Sequence, residues 1–228
     1  MRIVVVGAPG AGKGTHCKRI AERYRVVHLS SGDILRRERA EGTDLGKKAQ
    51  SYMDAGTLVP DDLIVAMMSN AIAEAGAAGY VLDGFPRTVN QAEALDESLA
   101  AGKGGIDIVV NLQVDDSVVL DRITGRRSCP TCGAVYHVRN MPPRRDGACD
   151  LDGTKLVQRP DDTEQVVENR LTTYYQQTEP VVEYYKSKRT VHDIDANKDA
   201  DSVAVVIFRK LDPLAGKAGR RPRQQMRP

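Results

Sequence analysis

Residues 1–15 read MRIVVVGAPGAGKGT, a short run of β-branched residues that leads into a glycine-rich loop with one lysine. Residues 7–13 have the spacing G-x-x-x-x-G-K, between a predicted strand and a predicted helix. Glycines in such a loop let successive backbone N–H groups curve around phosphate oxygens, and the N-terminus of the following helix favours negative charge. The lysine is usually followed by Ser or Thr, but here Gly14 intervenes before Thr15. The stretch therefore predicts a phosphate-binding loop (P-loop) whose magnesium-facing hydroxyl is displaced.

Runs of β-branched residues alternate with helical patterns along most of the chain. Continuous apolar strands that alternate with helices predict an α/β fold, with a parallel five-stranded sheet covered by helices on both faces. The predicted strands are 2–6, 26–29, 80–83, 106–114 and 190–195, and the predicted helices are 13–24, 31–40, 44–55, 61–75, 90–101, 116–125, 163–186 and 199–211.

Two segments interrupt this alternation. Residues 30–72 place several helices between consecutive strands, which indicates a helical insertion. Residues 127–162 lack helical periodicity and gather Cys, Pro, Gly and Arg, which indicates a small second insertion. The core domain then consists of residues 1–29, 73–126 and 163–212. Residues 213–228 are rich in Arg and Pro, so we expect a basic, disordered tail there.

The composition is typical of a soluble globular protein, with 41% hydrophobic and 28% charged residues. Five basic residues and no acid lie in residues 213–228, so the net charge of the chain falls from +2 to −3 without them. A mildly acidic body argues against nucleic acid as a partner. No apolar run approaches the ~18 residues of a transmembrane helix, and the first one is too short for a signal peptide. We expect a cytoplasmic protein without a membrane partner.

A second group of residues is suited to phosphate chemistry. The segment 82–88 reads LDGFPRT; Asp83 follows a predicted buried strand, where a magnesium-positioning acid belongs, and Arg87 offers a planar fork to phosphate. Transfer between two phosphates needs no general base, because the acceptor is already anionic, and positioning and electrostatics suffice. Further arginines at element ends predict a site that neutralises two phosphate groups: Arg36, Arg122, Arg126, Arg159 and Arg170.

Six motifs in a row resemble the adenylate kinases of the long-lid type found in bacteria. They are GAPGAGKGT (7–15), SSGDILR (30–36), MDAGTLVP (53–60), LDGFPRT (82–88), DRITGRR (121–127) and RPDD (159–162), and the resemblance runs from residue 1 to about 211. It implies a P-loop NTPase-like fold in which residues 30–72 bind the nucleoside monophosphate and residues 127–162 form a lid. It also implies reversible phosphoryl transfer from Mg-ATP to AMP, giving two ADP, by a monomer.

The resemblance assigns roles residue by residue. Catalysis would fall to Lys13, Arg87, Arg122, Arg126, Arg159 and Arg170. ATP would contact Gly10, Ala11, Gly12, Lys13, Gly14, Thr15, Arg122, Arg126, Val135, Tyr136 and Lys198. AMP would contact Ser31, Arg36, Thr57, Leu58, Val59, Gly84, Phe85, Pro86, Arg87, Gln91, Arg159 and Arg170, and Gln91 would read the adenine edge. Asp83 and Asp33 would orient Mg2+ through water. Many members have Thr where this chain has Ser31, and we expect only a small change in AMP affinity from this difference.

Four residues in the predicted lid have the spacing of a metal site. Cys129 and Cys132 form C-x-x-C, and after sixteen intervening residues Cys149 and Asp152 form C-x-x-D. This spacing predicts a structural Zn2+ site with four protein ligands and none open for water. Reduced cysteines without metal are the alternative, and a disulfide is less expected in a reducing compartment. His137 is a rival ligand, but it lies in a strand-like segment away from the second pair.

Two other functions remain open from the sequence. One keeps the fold and changes the acceptor to UMP, CMP or another nucleoside monophosphate, although the long lid and Gln91 disfavour it. The other is a binding module in which the cysteines form a zinc ribbon and the tail grips nucleic acid, although the charge of the body disfavours it.

Overall fold

The computed structural model describes residues 1–102, 104–189 and 191–218 of the 228-residue chain. The central sheet contains β1 (Arg2–Gly7), β2 (Val27–Ser30), β3 (Tyr80–Asp83), β4 (Ile108–Gln113) and β7 (Val191–Asp195), while β5 (Arg126–Ser128) and β6 (Val135–His137) form a separate antiparallel pair. The helices are α1 (Lys13–Tyr24), α2 (Ser31–Glu41), α3 (Asp44–Ala55), α4 (Asp61–Ala75), α5 (Val89–Ala101), α6 (Asp116–Thr124), α7 (Glu164–Thr173), α8 (Glu179–Lys186) and α9 (Ala200–Ala218).

The central sheet is parallel throughout and has the order β2-β3-β1-β4-β7, which confirms the predicted α/β fold. Successive residues of β1 enter two different apolar clusters, because side chains of a strand alternate between the faces of its sheet. Val4 and Val6 face one cluster, whereas Ile3 and Val5 face the other. Both faces of β1 are thus buried, which explains why its sequence is a continuous apolar run rather than an alternating one.

The structure differs from the predicted elements at two helices. The predicted helix 163–186 contains a π-helical segment, Tyr174–Thr178, which joins α7 to α8. The last helix was predicted to end at residue 211, yet α9 continues to Ala218 through Pro213. The prediction of a disordered tail is therefore wrong for residues 213–218, because Leu214 extends the apolar face of α9 against the core. The rest of that prediction, residues 219–228, lies outside the described residues.

The two predicted insertions have different construction. Residues 30–72 contain α2, α3 and most of α4, so the predicted boundary at 72 falls inside a helix. Residues 127–162 contain most of the β5–β6 pair, further isolated bridges, and a small buried cluster of Cys129, Tyr136, Cys149 and Leu156. The division into a core and two inserted parts remains a prediction. Within the described ranges, no helix combines the length and apolar character needed to cross a membrane.

The carboxyl ends of β1 and β3 are adjacent, because these strands pair in parallel register from Arg2↔Tyr80 to Val5↔Asp83. The P-loop leaves β1 at this edge, and the segment 84–88 leaves β3 beside it. Ligand sites of open α/β sheets lie in the crevice outside the carboxyl ends of the strands. The fold therefore brings both predicted phosphate-handling segments to one place.

Candidate active site

The P-loop is closed around the ammonium group of Lys13. The Nζ atom donates hydrogen bonds to the carbonyl oxygens of Gly7 at 2.7 Å and of Ala8 at 2.8 Å. A Cβ atom on Gly7 would stand 2.6 Å from the carbonyl oxygen of Leu112, so only glycine permits this approach to β4. Gly12 precedes α1 with φ +89°, a conformation that L side chains rarely adopt. The glycines of the motif are thus required by the backbone path itself.

Burial lowers the pKa of Lys13 from 10.5 to about 7. Asp83 acts in the opposite direction and raises it, while Arg87 and Arg170 add to the lowering. The positive charge of Lys13 is poorly balanced, because two guanidinium groups and only one carboxylate act on it. The arrangement is suited to an added anion, which would restore the charged form.

The side chain of Asp83, the last residue of β3, approaches the first turn of α1 beside Gly14. A Cβ atom on Gly14 would be 3.3 Å from Asp83 Oδ2. On its other side, Asp83 Oδ2 is 3.2 Å from His28 Nε2. The Sγ atom of Cys17 belongs to the same compact group of possible metal ligands, although the cysteine is fully buried and burial raises the pKa of its thiol. The carboxylate of Asp83 is therefore placed where an acid could orient Mg2+ next to phosphates on the loop.

Four arginines that the sequence analysis singled out are held by local partners. Arg87 Nε donates to the Gly84 carbonyl oxygen at 2.7 Å, and Arg159 Nε donates to Ser128 Oγ at 3.0 Å. Arg170 is 3.0 Å from Asp161 Oδ2, while Arg126 makes a two-pronged contact with Asp162. Each guanidinium is thus oriented before any ligand arrives.

Burial also acts on the pKa values of these arginines, although all of them remain charged near neutral pH. It lowers the pKa of Arg170 to about 10, with Asp161 opposing and Arg126 and Arg87 adding to the effect. Burial likewise lowers the pKa of Arg159 to about 10, with Arg36 and Arg126 contributing. For Arg126 burial again lowers the pKa, but the hydrogen bonds that Arg126 donates to Asp162 outweigh it and the pKa is raised. The cluster carries more positive charge than its carboxylates balance.

Two adjoining cavities meet at this cluster. The first is lined by the P-loop, including Pro9 and Lys13. The second is lined by residues of α2 and the loop after α3, and by Gln91. Both cavities are lined by Arg87 and Arg170. Two ligands in these cavities would therefore direct their charged ends at the same pair of arginines.

The predicted site residues divide between the lining of these cavities and their surroundings. The lining contains Lys13, Ser31, Arg36, Thr57, Leu58, Val59, Gly84, Pro86, Arg87, Gln91 and Arg170. Outside it lie Gly10, Ala11, Gly12, Gly14, Thr15, Asp33, Asp83, Phe85, Arg122, Arg126, Val135, Tyr136, Arg159 and Lys198.

Several of the outlying residues have other contacts. The carboxylate of Asp33 pairs with Arg36, whereas Asp83 lies at the P-loop. Arg122 of α6 donates to the carbonyl oxygen of Lys198, which follows β7, at 3.0 Å. Two of the predicted ATP contacts therefore lie together. The hydroxyl of Tyr136 accepts a hydrogen bond from the backbone N–H of Asp150 at 2.8 Å, and its ring is buried in the lid cluster. Its side chain is therefore committed to the interior of that segment.

The four predicted metal ligands converge. Their ligand atoms all lie within 4.8 Å of one another. Cys132 Sγ is 3.5 Å from Cys149 Sγ, far beyond a ~2.05 Å disulfide bond. Cys129 Sγ is 3.4 Å from Asp152 Oδ2. In a tetrahedron with ~2.3 Å zinc–sulfur bonds the sulfurs stand about 3.8 Å apart, so the spacing and the donor set both fit Zn2+. The rival ligand His137 is bonded to backbone groups elsewhere.

Sequence reasoning missed four residues that organise the site. Asp161 and Asp162 hold Arg170 and Arg126, and the RPDD motif that contains them was the available signal. Asp61 binds Gln91, and His137 fastens β6 to α6, but no local pattern indicates either contact.

Comparison with known proteins relates the chain to one family. A family model described as Adenylate kinase matches residues 5–190. A protein named Adenylate kinase from Lachnospira eligens is 46% identical over 212 residues, which cover 92% of this chain and all of the relative. One of the same name from Archaeoglobus fulgidus is 47% identical over 204 residues, covering 89% of this chain and 94% of the relative. A third, from Staphylococcus epidermidis, is 44% identical over 215 residues, which cover 94% of this chain and all of the relative.

Proposed function

The chain belongs to the adenylate kinase family, and we propose that it transfers the terminal phosphoryl group of ATP reversibly to AMP, giving two molecules of ADP. The observation that carries this proposal is the junction of two cavities at Arg87 and Arg170. One cavity contains the P-loop, which suits a nucleoside triphosphate, and the other contains Gln91, which suits a purine base. A kinase that transfers a phosphoryl group from one nucleotide to another needs this arrangement.

The chemistry requires positioning more than proton transfer. An oxygen of the AMP phosphate attacks the terminal phosphorus of ATP, and the bond from that phosphorus to its bridging oxygen breaks as ADP leaves. Lys13 and the N–H groups of the P-loop hold the phosphates of ATP. Arg87 and Arg170 contact the acceptor and the transferring group, and they neutralise the charge that gathers between them. Their burial strengthens this effect, because few waters remain to screen it.

Further residues contact parts of the two nucleotides that lie away from the reacting atoms. We assign Arg36, Ser31 and the backbone of residues 57–59 to AMP, and Arg122, Arg126 and Lys198 to ATP. Arg159 reaches the transferring phosphates from the lid. Mg2+, when bound with ATP, neutralises charge on its phosphate oxygens, and Asp83 would hold it through water, with Asp33 as the second acid.

The test is the formation of ADP from ATP and AMP by the full chain, with two arginines compared. Arg87→Ala removes a guanidinium from the junction, so kcat should fall by at least about 100-fold. Arg209→Ala removes an exposed arginine of α9 and should leave kcat unchanged. Equal activity of both variants, or no AMP-dependent ADP formation by the wild type, would contradict the proposal.

A panel of acceptors separates this function from the rivals. The names of the relatives favour AMP over UMP and CMP. We expect kcat/KM with ATP as donor to be highest for AMP. A higher value for UMP or CMP would make the chain a kinase of another nucleoside monophosphate. Tight binding of single-stranded nucleic acid without kinase activity would favour the binding module instead.

We also propose that residues 127–162 form a lid held by one structural Zn2+, with Cys129, Cys132, Cys149 and Asp152 as ligands. The convergence of three thiols and one carboxylate supports it. The backbone N–H of Cys132 donates to Cys129 Sγ at 3.4 Å, which orients that sulfur. The lid has only a small apolar cluster of its own, so a metal would supply much of its stability.

Metal content per chain tests the zinc site. Elemental emission should give about one zinc per wild-type chain and much less for Asp152→Ala, since a three-ligand site binds more weakly. Asp146→Ala is the matched control, because Asp146 is an exposed acid of the same segment outside the cluster. No zinc in the wild type, or equal loss in both variants, would contradict the assignment.

The compartment, the oligomeric state and the partners of the enzyme are also proposals. Four free cysteines support a reducing compartment, and so the cytoplasm. We further propose a monomer without nucleic acid or membrane partners. Light scattering of the purified chain measures the first of these, and a mass near twice 24.9 kDa would contradict it.

A further inference from the structure

The side-chain amide of Gln91 is held by two groups of opposite character. Its Oε1 atom accepts a hydrogen bond from the backbone N–H of Arg87 at 2.8 Å. Its Nε2 atom donates to Asp61 Oδ1 at 2.6 Å. A backbone N–H only donates and a carboxylate oxygen only accepts, so both partners require the same orientation of the amide. Reversing it would place two donors face to face and a carbonyl oxygen against a carboxylate.

Asp61 is itself fixed by a second contact. Its Oδ2 atom accepts from Thr88 Oγ1 at 2.8 Å, and the same Oγ1 atom caps α5 by accepting from the backbone N–H of Gln91 at 3.1 Å. Asp61 opens α4, whereas Gln91 lies in the first turn of α5. The carboxylate therefore joins the two helices directly at the amide, and Gln91 is only 1% exposed.

The held amide keeps one N–H and one oxygen lone pair for a ligand, because Nε2 has two hydrogens and Oε1 two lone pairs. Adenine presents an amino donor beside a ring-nitrogen acceptor. A 6-oxopurine, such as the base of IMP or GMP, presents a carbonyl acceptor beside a ring N–H donor. With the 6-position of the base at Oε1 and its ring nitrogen N1 at Nε2, this orientation of Gln91 pairs with adenine on both atoms and opposes a 6-oxopurine on both.

We propose that Asp61 is a specificity-determining residue, which selects adenine over 6-oxopurines by locking the amide of Gln91 in one orientation. Asp61 need not touch the nucleotide; it acts through Gln91 as a positioning residue. This inference rests on the proposed function, in which Gln91 reads the base of AMP. A free glutamine amide could rotate to bind either adenine or a 6-oxopurine. The contact with Asp61 explains why the amide of Gln91 binds only adenine.

The experiment compares kcat/KM for AMP and for IMP, with ATP as donor, in the full chain. Asp61→Asn keeps the shape of the side chain but provides an N–H that can face Oε1 of a reversed Gln91. We expect the preference for AMP over IMP to fall about tenfold or more, since a charge-assisted hydrogen bond no longer opposes reversal. The remaining preference comes from the N–H of Arg87, which still favours the original orientation.

Asp62→Asn is the matched control. Asp62 lies in the same first turn of α4 and is exposed, so it shares the effect of a negative charge at a helix N-terminus without the contact to Gln91. We expect its AMP-to-IMP ratio to equal that of the wild type. An unchanged ratio in Asp61→Asn, even with both rates lowered, would overturn the inference, as would an equal change in Asp62→Asn. A wild type that does not phosphorylate AMP would instead refute the proposed function.

A second measurement covers the case in which Asp61→Asn does not fold. In the unliganded wild type, the Nε2 proton that Gln91 donates to Asp61 should exchange with water far more slowly than the side-chain amide protons of an exposed glutamine. Exchange as fast as that of an exposed glutamine would show an amide that is not held by Asp61, and would overturn the inference.

Discussion

Lys13 is the residue at which charge and ligand binding are most closely coupled. Burial brings its pKa to about 7 in the unliganded chain, and phosphates bound on the P-loop would raise it again. Because the protonated form is the one that binds, the free energy of ATP binding should weaken as the pH rises above about 7. The loss should approach about tenfold in affinity per pH unit until the pKa of the complex is reached.

Calorimetry at about pH 8.5, where ATP itself is fully ionised, would measure this effect. In two buffers of different ionisation enthalpy, the wild type should take up close to one proton on binding ATP. Lys13→Arg keeps its charge at this pH, so its proton uptake should be near zero. Equal uptake by the two chains would show that another group titrates.

Gly84 is a residue whose replacement tests the placement of Arg87. It has φ +70°, and a Cβ atom there would stand 2.7 Å from Arg87 Nη2 and 3.0 Å from Ser31 Oγ. We expect Gly84→Ala to lower kcat at least about tenfold, because a displacement of the guanidinium by about 1 Å is costly for a positioned group. Steady-state kinetics with AMP varied would measure it.

The control for Gly84 separates backbone strain from displacement of the arginine. Gly42 has φ +68°, and a Cβ atom there meets nothing within 4 Å. Gly42→Ala should therefore lower the free energy of unfolding by about 1 kcal/mol, as Gly84→Ala does through strain alone, and leave kcat unchanged. A similar fall of kcat in both would attribute it to strain rather than to Arg87.

Residues in continuous motifs were predictable, and residues that act across the fold were not. The P-loop is a local solution to binding phosphate, so its glycines and Lys13 could be identified from spacing alone. Asp61 and Gln91 are thirty residues apart, and their contact exists only because α4 packs against α5. In sequence, Asp61 resembles any acid at the start of a helix.

At the scale of elements, the join between β6 and α6 determines how the lid is attached. His137 Nδ1 accepts hydrogen bonds from the backbone N–H groups of Arg139 and Asn140, so Nε2 carries the proton that it donates to the Asp121 carbonyl oxygen at 3.1 Å. The ring lies against Gly125, where a Cβ atom would overlap it. The base of the lid is thus fitted to the end of α6 with no spare room.

A double-mutant cycle tests this join. Gly125 has φ −79°, so Gly125→Ala is free of backbone strain and should destabilise the chain through the overlap alone, by about 1–3 kcal/mol. In the His137→Ala background the same substitution should cost much less, which gives a coupling energy of about 1 kcal/mol or more. Denaturant unfolding measures all four chains. Additive effects would mean that the ring and Gly125 are not in contact in solution.

Gly102→Ala serves as the control for this cycle. Gly102 has φ −86°, and a Cβ atom there would meet only the Leu99 carbonyl oxygen, at 3.6 Å. Its effect on the free energy of unfolding should be small and the same with and without His137.

Element type was predictable where one periodicity dominates. The buried strands were found from their β-branched runs, since a strand covered on both faces has no polar alternation. The π-helical segment within 163–186 was not, because it shares the apolar spacing of the α-helices on either side. The Arg- and Pro-rich composition of residues 213–228 was misleading at its start, because Leu211 and Leu214 pack on the core and extend α9 beyond Pro213.

For the whole molecule, α9 completes one face of the sheet. Leu211 is fully buried in the cluster that contains Cys17, and Asp212 accepts hydrogen bonds from Arg23 at 3.0 Å and from Tyr24 at 2.7 Å. A chain ended after Lys210 loses both contacts. Its Tm should fall by at least about 5 °C, since removing a buried leucine alone costs about 2–5 kcal/mol.

A chain ended after Ala218 is the comparison for this truncation. It keeps every buried side chain of the described ranges, so its Tm and its kinase activity should match those of the full chain. Differential scanning calorimetry of the three chains would decide it. A Tm for the shortest chain equal to that of the full chain would contradict the role given to Leu211 and Asp212.

Carboxylates already pair with the arginines of the site, because Asp161 contacts Arg170 and Asp162 contacts Arg126. An incoming phosphate must therefore displace a carboxylate that is part of the chain. A ligand with a single diffuse charge binds the arginine little better than that carboxylate does. The same carboxylates stand ready to take the arginines back when the products leave. Binding at this site would thus exchange one anion for another, which favours the dianionic phosphates of nucleotides over singly charged solutes and assists the release of products.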